Sequence, residues 1–292
     1  VGPCSTGERE WNRMVPLQDL RRFIEEDSPF GDITSDNVIP DKTCNAVIRA
    51  EQAGVIAGIA EASALFTHFG VLAKPGKRDG DRVLPDDIIL LLSGNAKGIL
   101  LVERTALNII GRMSGIATQT GKFADIVSAV NSRCRIAATR KTSPGFRVLD
   151  KKAVQLGGGD PHRMSLSDGI LIKDNHLMLI SLTEAIRAAK AASAYRKIEV
   201  EVETPRDALT AAKDGADVLL LDNMIPGMVS ETLDGLKRAG LRDRGTIELS
   251  GGIDEQTLPE YATLDVDVIS MGALTHTVKN FSVTLEILPV TR

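Results

Sequence analysis

From about residue 130 to residue 276 the chain alternates short β-branched runs with helical stretches, and that alternation admits few folds. The runs are CRIAA (134–138), GILI (169–172), KIEVEV (197–202), DVLLL (217–221), TIEL (246–249) and DVIS (267–270). Helix signals stand between them: Ser181 with Glu184 forms a capping box, Thr204–Pro205 an N-cap with a proline after it, and Pro226 opens a further helix. Gly215 and Gly240 stand where closing residues belong. Parallel strands joined by helices build an α/β barrel, and six strands leave it one or two short of closure. A stretch near 153–157 is the candidate for a further strand.

Ahead of the barrel, the pattern is that of an α+β domain. A helix is expected over 16–26, then a turn-rich SPFGDITSD loop, strands at CNAVIRA, near 54–58 and over 87–92, and a helix over 59–69. A long helical stretch runs from about 99 to 130. On it Val102, Ala106, Ile109, Ile110 and Met113 share one face, and Arg104, Asn108 and Arg112 another. Phe281–Ile287 alternates apolar with polar residues, as a half-buried antiparallel strand does, and is expected to return to the front sheet. The expected division is therefore a domain over 1–115, completed by 277–292, and a barrel over 116–276. Residues 1–13 show neither period and are set aside.

Charge and cysteine usage narrow the function classes. A net charge of −4 and a pI near 5.7 leave no broad basic face for nucleic acid. No apolar run approaches the ~18 residues of a membrane span, and no signal-peptide core opens the chain. A cytoplasmic protein with no membrane partner is expected. Cys4, Cys44 and Cys134 are odd in number and widely spaced, which points to reduced thiols rather than a disulfide framework or a zinc site.

The chemistry gathers at the strand ends. They deliver Thr139, Arg140 and Lys141, then Lys173, Glu201, Asp222, the Ser250-Gly251-Gly252 turn and Gly272. In a parallel barrel these carboxyl ends open on one face, which holds the active site. Seven basic residues and His162 lie between Thr139 and Lys173, against three aspartates. In an acidic chain this suggests a pocket for a polyanion. Lys151 and Lys152 read instead as a solvated basic face. The SGG turn suits a phosphate, although ordinary tight turns use the same residues. Gly157–Gly159 reads equally as a mobile hinge before His162 and Arg163 or as a plain turn. Glu201 and Asp222 suit Mg²⁺, ribose hydroxyls or a developing cation, and Glu201 equally suits an ion pair with a neighbouring base.

TRKTSPGFR (139–147), GGGDPHR (157–163), LIKDNH (171–176), EVEVET (199–204), LLLDN (219–223), SGGI (250–253) and ISMGALTH (269–276), with ERTALNIIGRMSGIAT (103–118), resemble the quinolinate phosphoribosyltransferase family over nearly the whole chain after Met14. The resemblance implies a quinolinate site lined by Arg140, His162, Arg163 and Lys173, with Thr139 heading the same motif and Arg104 reaching in from a neighbouring subunit of a homodimer or higher oligomer. It implies Lys141 at the pyrophosphate of phosphoribosyl pyrophosphate, and Glu201 and Asp222 as catalytic groups near the ribose and Mg²⁺. Ser250, Gly251, Gly252, Gly272 and His276 would surround the 5-phosphate. Lys152, Pro161 and Met164-Ser165 depart from the family pattern, in the substrate loop. A molybdenum-operon paralogue shares the first motifs but lacks KDNH. Two further readings are a Schiff-base aldolase-type barrel using Lys173 and a non-catalytic ligand sensor; intact Lys141, Glu201 and Asp222 argue against the sensor.

Overall fold

The computed structural model describes residues 15–289, so the readings of residues 1–13 and of Cys4 lie outside the described residues. The chain forms two compact units, one from 1–119, 143–157 and 278–292, the other from 120–142 and 158–277. In the front unit, strands β1 (Thr43–Ala50), β3 (Val71–Pro75), β5 (Ile88–Asn95) and β12 (Val283–Ile287) form one sheet in the order β12-β1-β5-β3. All its pairings are antiparallel, including β1 with the returning C-terminal strand. Two-residue strands β2 (Gly54–Val55) and β4 (Arg82–Val83) pair separately; β3 and β4 carry too little alternation to stand out in the sequence.

The turn-rich loop holds a helix, Ile33–Val38, because the Asp32 carboxylate accepts from the Thr34 and Ser35 amides and replaces two missing intrahelical partners. The long helix begins at Ala96 rather than near 99 for the same reason: Asn95 Oδ1 accepts from the Lys97 and Gly98 amides. It runs to Val130, and its Val102, Ala106, Ile109, Ile110 and Met113 are buried as the spacing predicts. Ser114 and Thr118, one turn apart, exchange hydrogen bonds with the backbone of Ala57 and Val55, so this helix also anchors an irregular segment.

The barrel unit contains six parallel strands: β6 (Arg135–Ala137), β7 (Ile170–Ile172), β8 (Ile198–Val202), β9 (Val218–Asp222), β10 (Thr246–Ser250) and β11 (Val268–Ser270). Their order, β6-β11-β10-β9-β8-β7, pairs the first strand with the last and leaves the gap between the first and the second. This is an incomplete barrel. The expected strand near 153–157 is instead the end of a helix, Arg147–Leu156, and on that side of β6 the described residues give only an isolated bridge between Ala137 and Asp160. The N-caps hold, with Ser181 Oγ accepting from the Glu184 amide and Thr204 Oγ1 from the Asp207 amide, and Gly215 is left-handed at φ 85°. The expected capping box is only half made, since the Glu184 carboxylate accepts from the Ser181 hydroxyl and not from its amide.

Two basic residues are placed otherwise than expected. Lys151 and Lys152 form no solvated face; both are buried, and the helix that carries them belongs to the front unit rather than the barrel. Lys152 Nζ lies 2.7 Å from Glu61 and 3.7 Å from Asp79, whose carboxylate also caps the helix Ile59–His68. Asp150, fully buried, is gripped through both oxygens by Arg112 at 2.8 and 2.9 Å. No helix among the described residues is long and apolar enough to cross a membrane. Cys44 and Cys134 are free thiols.

Candidate active site

The carboxyl ends of the barrel strands surround a cavity of about 410 Å³, walled by residues of the barrel unit alone. Eleven of the expected site residues line it: Thr139, Arg140, Lys141, His162, Arg163, Lys173, Glu201, Asp222, Ser250, Gly251 and Gly252. Gly272 and His276 do not line it but stand behind Lys141: a Cβ on Gly272 would lie 3.0 Å from the His276 ring and from Lys141 Cδ. Arg104 is exposed on the long helix, in the front unit. The glycine run before Asp160 ends the helix Arg147–Leu156, with Gly157 at its C-cap and Gly158 left-handed at φ 89°.

Local structure aims each group. Thr139 Oγ1 accepts from the Lys141 amide and Thr275 Oγ1 donates to the Lys141 carbonyl, so that lysine's backbone is held from both sides. The KDNH turn is fixed by His176 Nδ1, which accepts from the Lys173 amide at 3.0 Å. Met164 and Ser165, which depart from the resembled pattern, both donate their amides to the Asp168 carboxylate, and these bonds, that of Ser165 first, lower its pKa. Asn223, itself left-handed at φ 53°, donates from Nδ2 to Asp222 at 2.6 Å. Its side chain fills the space beside Gly251, where a Cβ would come within 2.2 Å of Oδ1; only glycine fits the turn.

The electrostatics are lopsided. Lys173 pairs with Glu201. Arg140, Lys141 and Arg163 have no ion-pair partner among the described residues, and Arg140 Nε is buried without any acceptor. Burial, with the like charge of Arg140 beside it and against the pull of Glu199, holds Arg163 below its ordinary pKa. Burial first, and then the charge of Glu201, raises the carboxyl of Asp222. Two oxygen-donor carboxylates that repel one another suit a hard divalent cation.

The sequence reading missed two acids. Glu199 (β8) and Glu248 (β10) are buried, and His162 Nε2 lies 3.6 and 3.4 Å from them. Strand alternation carried the signal: Glu199 shares a face with Glu201, and Glu248 with Ser250.

Residues 116–286 match the C-terminal domain of quinolinate phosphoribosyl transferase, and residues 32–114 match its N-terminal domain. The chain belongs to the quinolinate phosphoribosyltransferase family. A probable carboxylating nicotinate-nucleotide pyrophosphorylase of Archaeoglobus fulgidus is 43% identical over 261 residues, 89% of this chain and 99% of that protein. Its Bacillus subtilis counterpart is 38% identical over 272 residues, 92% of each. The solved nicotinate-nucleotide pyrophosphorylase of Francisella tularensis superposes with a TM-score of 0.86 at 31% identity, covering 94% of this chain and 98% of that one.

Proposed function

We propose that this chain transfers the phosphoribosyl group of phosphoribosyl pyrophosphate to quinolinate, with loss of CO₂, giving nicotinate mononucleotide and pyrophosphate in NAD biosynthesis. The observation that carries the reading is the set of unpartnered cations, Arg140, Lys141 and Arg163, facing one cavity together with Glu201 and Asp222. Such a cavity suits two polyanions that would repel each other in water.

The roles follow from charge. Arg140, Arg163 and Lys173 take the two carboxylates of quinolinate, with Thr139 and His162 in the same wall. Ser250, Gly251 and Gly252 offer a turn open to the 5-phosphate, and Gly272 and His276 flank Lys141. The pyridine nitrogen bonds to C1 of the ribose as the C1–pyrophosphate bond breaks. Glu201 and Asp222 offset the positive charge that develops on the ring, and Lys141 meets the departing pyrophosphate. Glu201 and Asp222 would hold magnesium, which when bound would supply charge neutralisation at the pyrophosphate. The C2–carboxylate bond then breaks, its electron pair staying on C2 beside the cationic nitrogen until a proton arrives. Lys173, ion-paired with Glu201, is not the free amine that a Schiff-base mechanism requires.

Arg104 completes the site from a second copy of the chain, in the cytoplasm. Its exposure supports this, as do exposed apolar residues on both units: Phe30 and Ile33 on the front unit, Met178 and Leu179 beyond the KDNH turn. Incubating the protein with quinolinate, phosphoribosyl pyrophosphate and Mg²⁺ tests the reaction: nicotinate mononucleotide and CO₂ appear in equal amounts, and the absence of both refutes it. Mixing inactive Arg104→Ala with inactive Lys141→Ala restores activity on subunit exchange if sites are shared, whereas a dead mixture after verified exchange refutes the sharing.

A further inference from the structure

His162 sits in the cavity wall, yet both of its ring nitrogens face protein. Nδ1 accepts from the Arg163 amide at 2.8 Å. Nε2 lies 3.4 Å from Glu248 and 3.6 Å from Glu199, carboxylates that are 4% and 11% exposed. One oxygen of each, Oε1, has no hydrogen-bond partner. The residue is also held in the left-handed region at φ 54°, with its amide donating to Asp160 Oδ1 at 2.7 Å, and Asp160 is tied to β6 through bonds to Ile136 and Ala138. A histidine constrained at its backbone and at both nitrogens has no polar edge left for a ligand.

We propose that Glu199 and Glu248 are positioning residues: with His162 they form a strut in and behind the cavity wall that aims Arg163 at the acid substrate. The proposal rests on the quinolinate reading and refines it. Arg163 follows His162 directly, has no ion-pair partner among the described residues, and lines the cavity. Its amide is tied to the ring, so a ring that tilts carries the Arg163 backbone with it. A shift of this kind weakens ground-state recognition of the carboxylate without touching the groups at the ribose. The trio's ligand atoms also lie within 4.8 Å of one another, close enough to share a cation.

Glu199→Gln and Glu248→Gln, made separately in the full-length enzyme, test the strut. Each is expected to raise KM for quinolinate roughly tenfold or more, the loss of about 1.4 kcal/mol of recognition, while kcat and KM for phosphoribosyl pyrophosphate stay within about threefold. Nitrogen-15 shifts of His162 in the unsubstituted enzyme, recorded above about pH 9 where the ring gives up its second proton, should report an acceptor at Nδ1, a reading that survives even if a variant fails to fold. Unchanged KM for quinolinate with a lowered melting temperature, or equal losses in all three constants, overturns the proposal. So does tight binding of Mn²⁺ or Zn²⁺, without phosphoribosyl pyrophosphate, that is lost in Glu248→Gln. If the unsubstituted enzyme does not consume quinolinate, the functional reading fails instead, and the nitrogen-15 shifts still judge the strut.

Discussion

Charge is handled in opposite ways in the interior of the front unit and at the barrel mouth. In the interior of the front unit Lys152 meets Glu61 and Asp79, and Arg112 grips Asp150. Asp150 has its pKa raised, burial outweighing the arginine, so even a well-made pair there is costly. At the barrel mouth Arg140, Lys141 and Arg163 have no partner among the described residues, although Arg140 Nε is as deeply buried. The first arrangement is complete as it stands. The second is neutralised only when an anion arrives, and that distinguishes a structural cluster from a binding site.

The contrast predicts opposite responses to removing a charge. Lys152→Met leaves Glu61 buried and unpaired, and should lower unfolding free energy by about 3–5 kcal/mol, as read by urea denaturation. The kcat/KM of the folded fraction should stay within about twofold, and adding Glu61→Leu should recover much of the stability. A variant equally stable but inactive would break the comparison. Lys141→Ala should behave the other way, losing about 10²–10³-fold in kcat, some 3–4 kcal/mol, with the denaturation midpoint unchanged. A large fall in its stability would place Lys141 with the structural pairs.

These cases also show what the sequence could carry. In the barrel, strand and helix order was legible because period and caps are local, and an incomplete barrel and the return of the last strand to the front sheet followed, whereas β3, β4 and the helix Ile33–Val38 did not. Cation partnering was not legible. Lys151 and Lys152 looked solvated beside Arg140 and Lys141, since a charged residue's composition is the same whether its helix turns it inward or out. The single bridge at Asp160 in place of a seventh strand depends on how the gap is filled, and no local period encodes that. Glu199 and Glu248 were hidden differently: they occur at every second strand position, which exposed faces share, and their burial emerges only on barrel closure.

The smallest expected effect sharpens the boundary between the two kinds of cluster. Burial lowers the pKa of His162, but the carboxylates of Glu199 and Glu248 beside Nε2 outweigh it and raise it to about 9 from 6.5. The folded trio therefore keeps a proton that the unfolded chain has released. This stabilisation is full below about pH 6.5 and is lost as pH rises through about 9. Melting temperatures from pH 6 to 10 should fall across that window, and the fall should flatten in Glu248→Gln. A rise in stability across the same window would reverse the assigned sign.

Whether the unpartnered cations read both carboxylates of the acid is measured most directly by comparing kcat/KM for quinolinate with that for nicotinate, under saturating phosphoribosyl pyrophosphate and Mg²⁺. Nicotinate leaves one cation of the cavity unanswered, and a site built to pair a polar group rejects the analogue lacking it by about 10⁴-fold, roughly 5 kcal/mol. A preference for quinolinate near that size is the expected result. A ratio within about tenfold, or ~1.4 kcal/mol, would mean that the cations serve phosphates common to both reactions, and would contradict the dicarboxylate site.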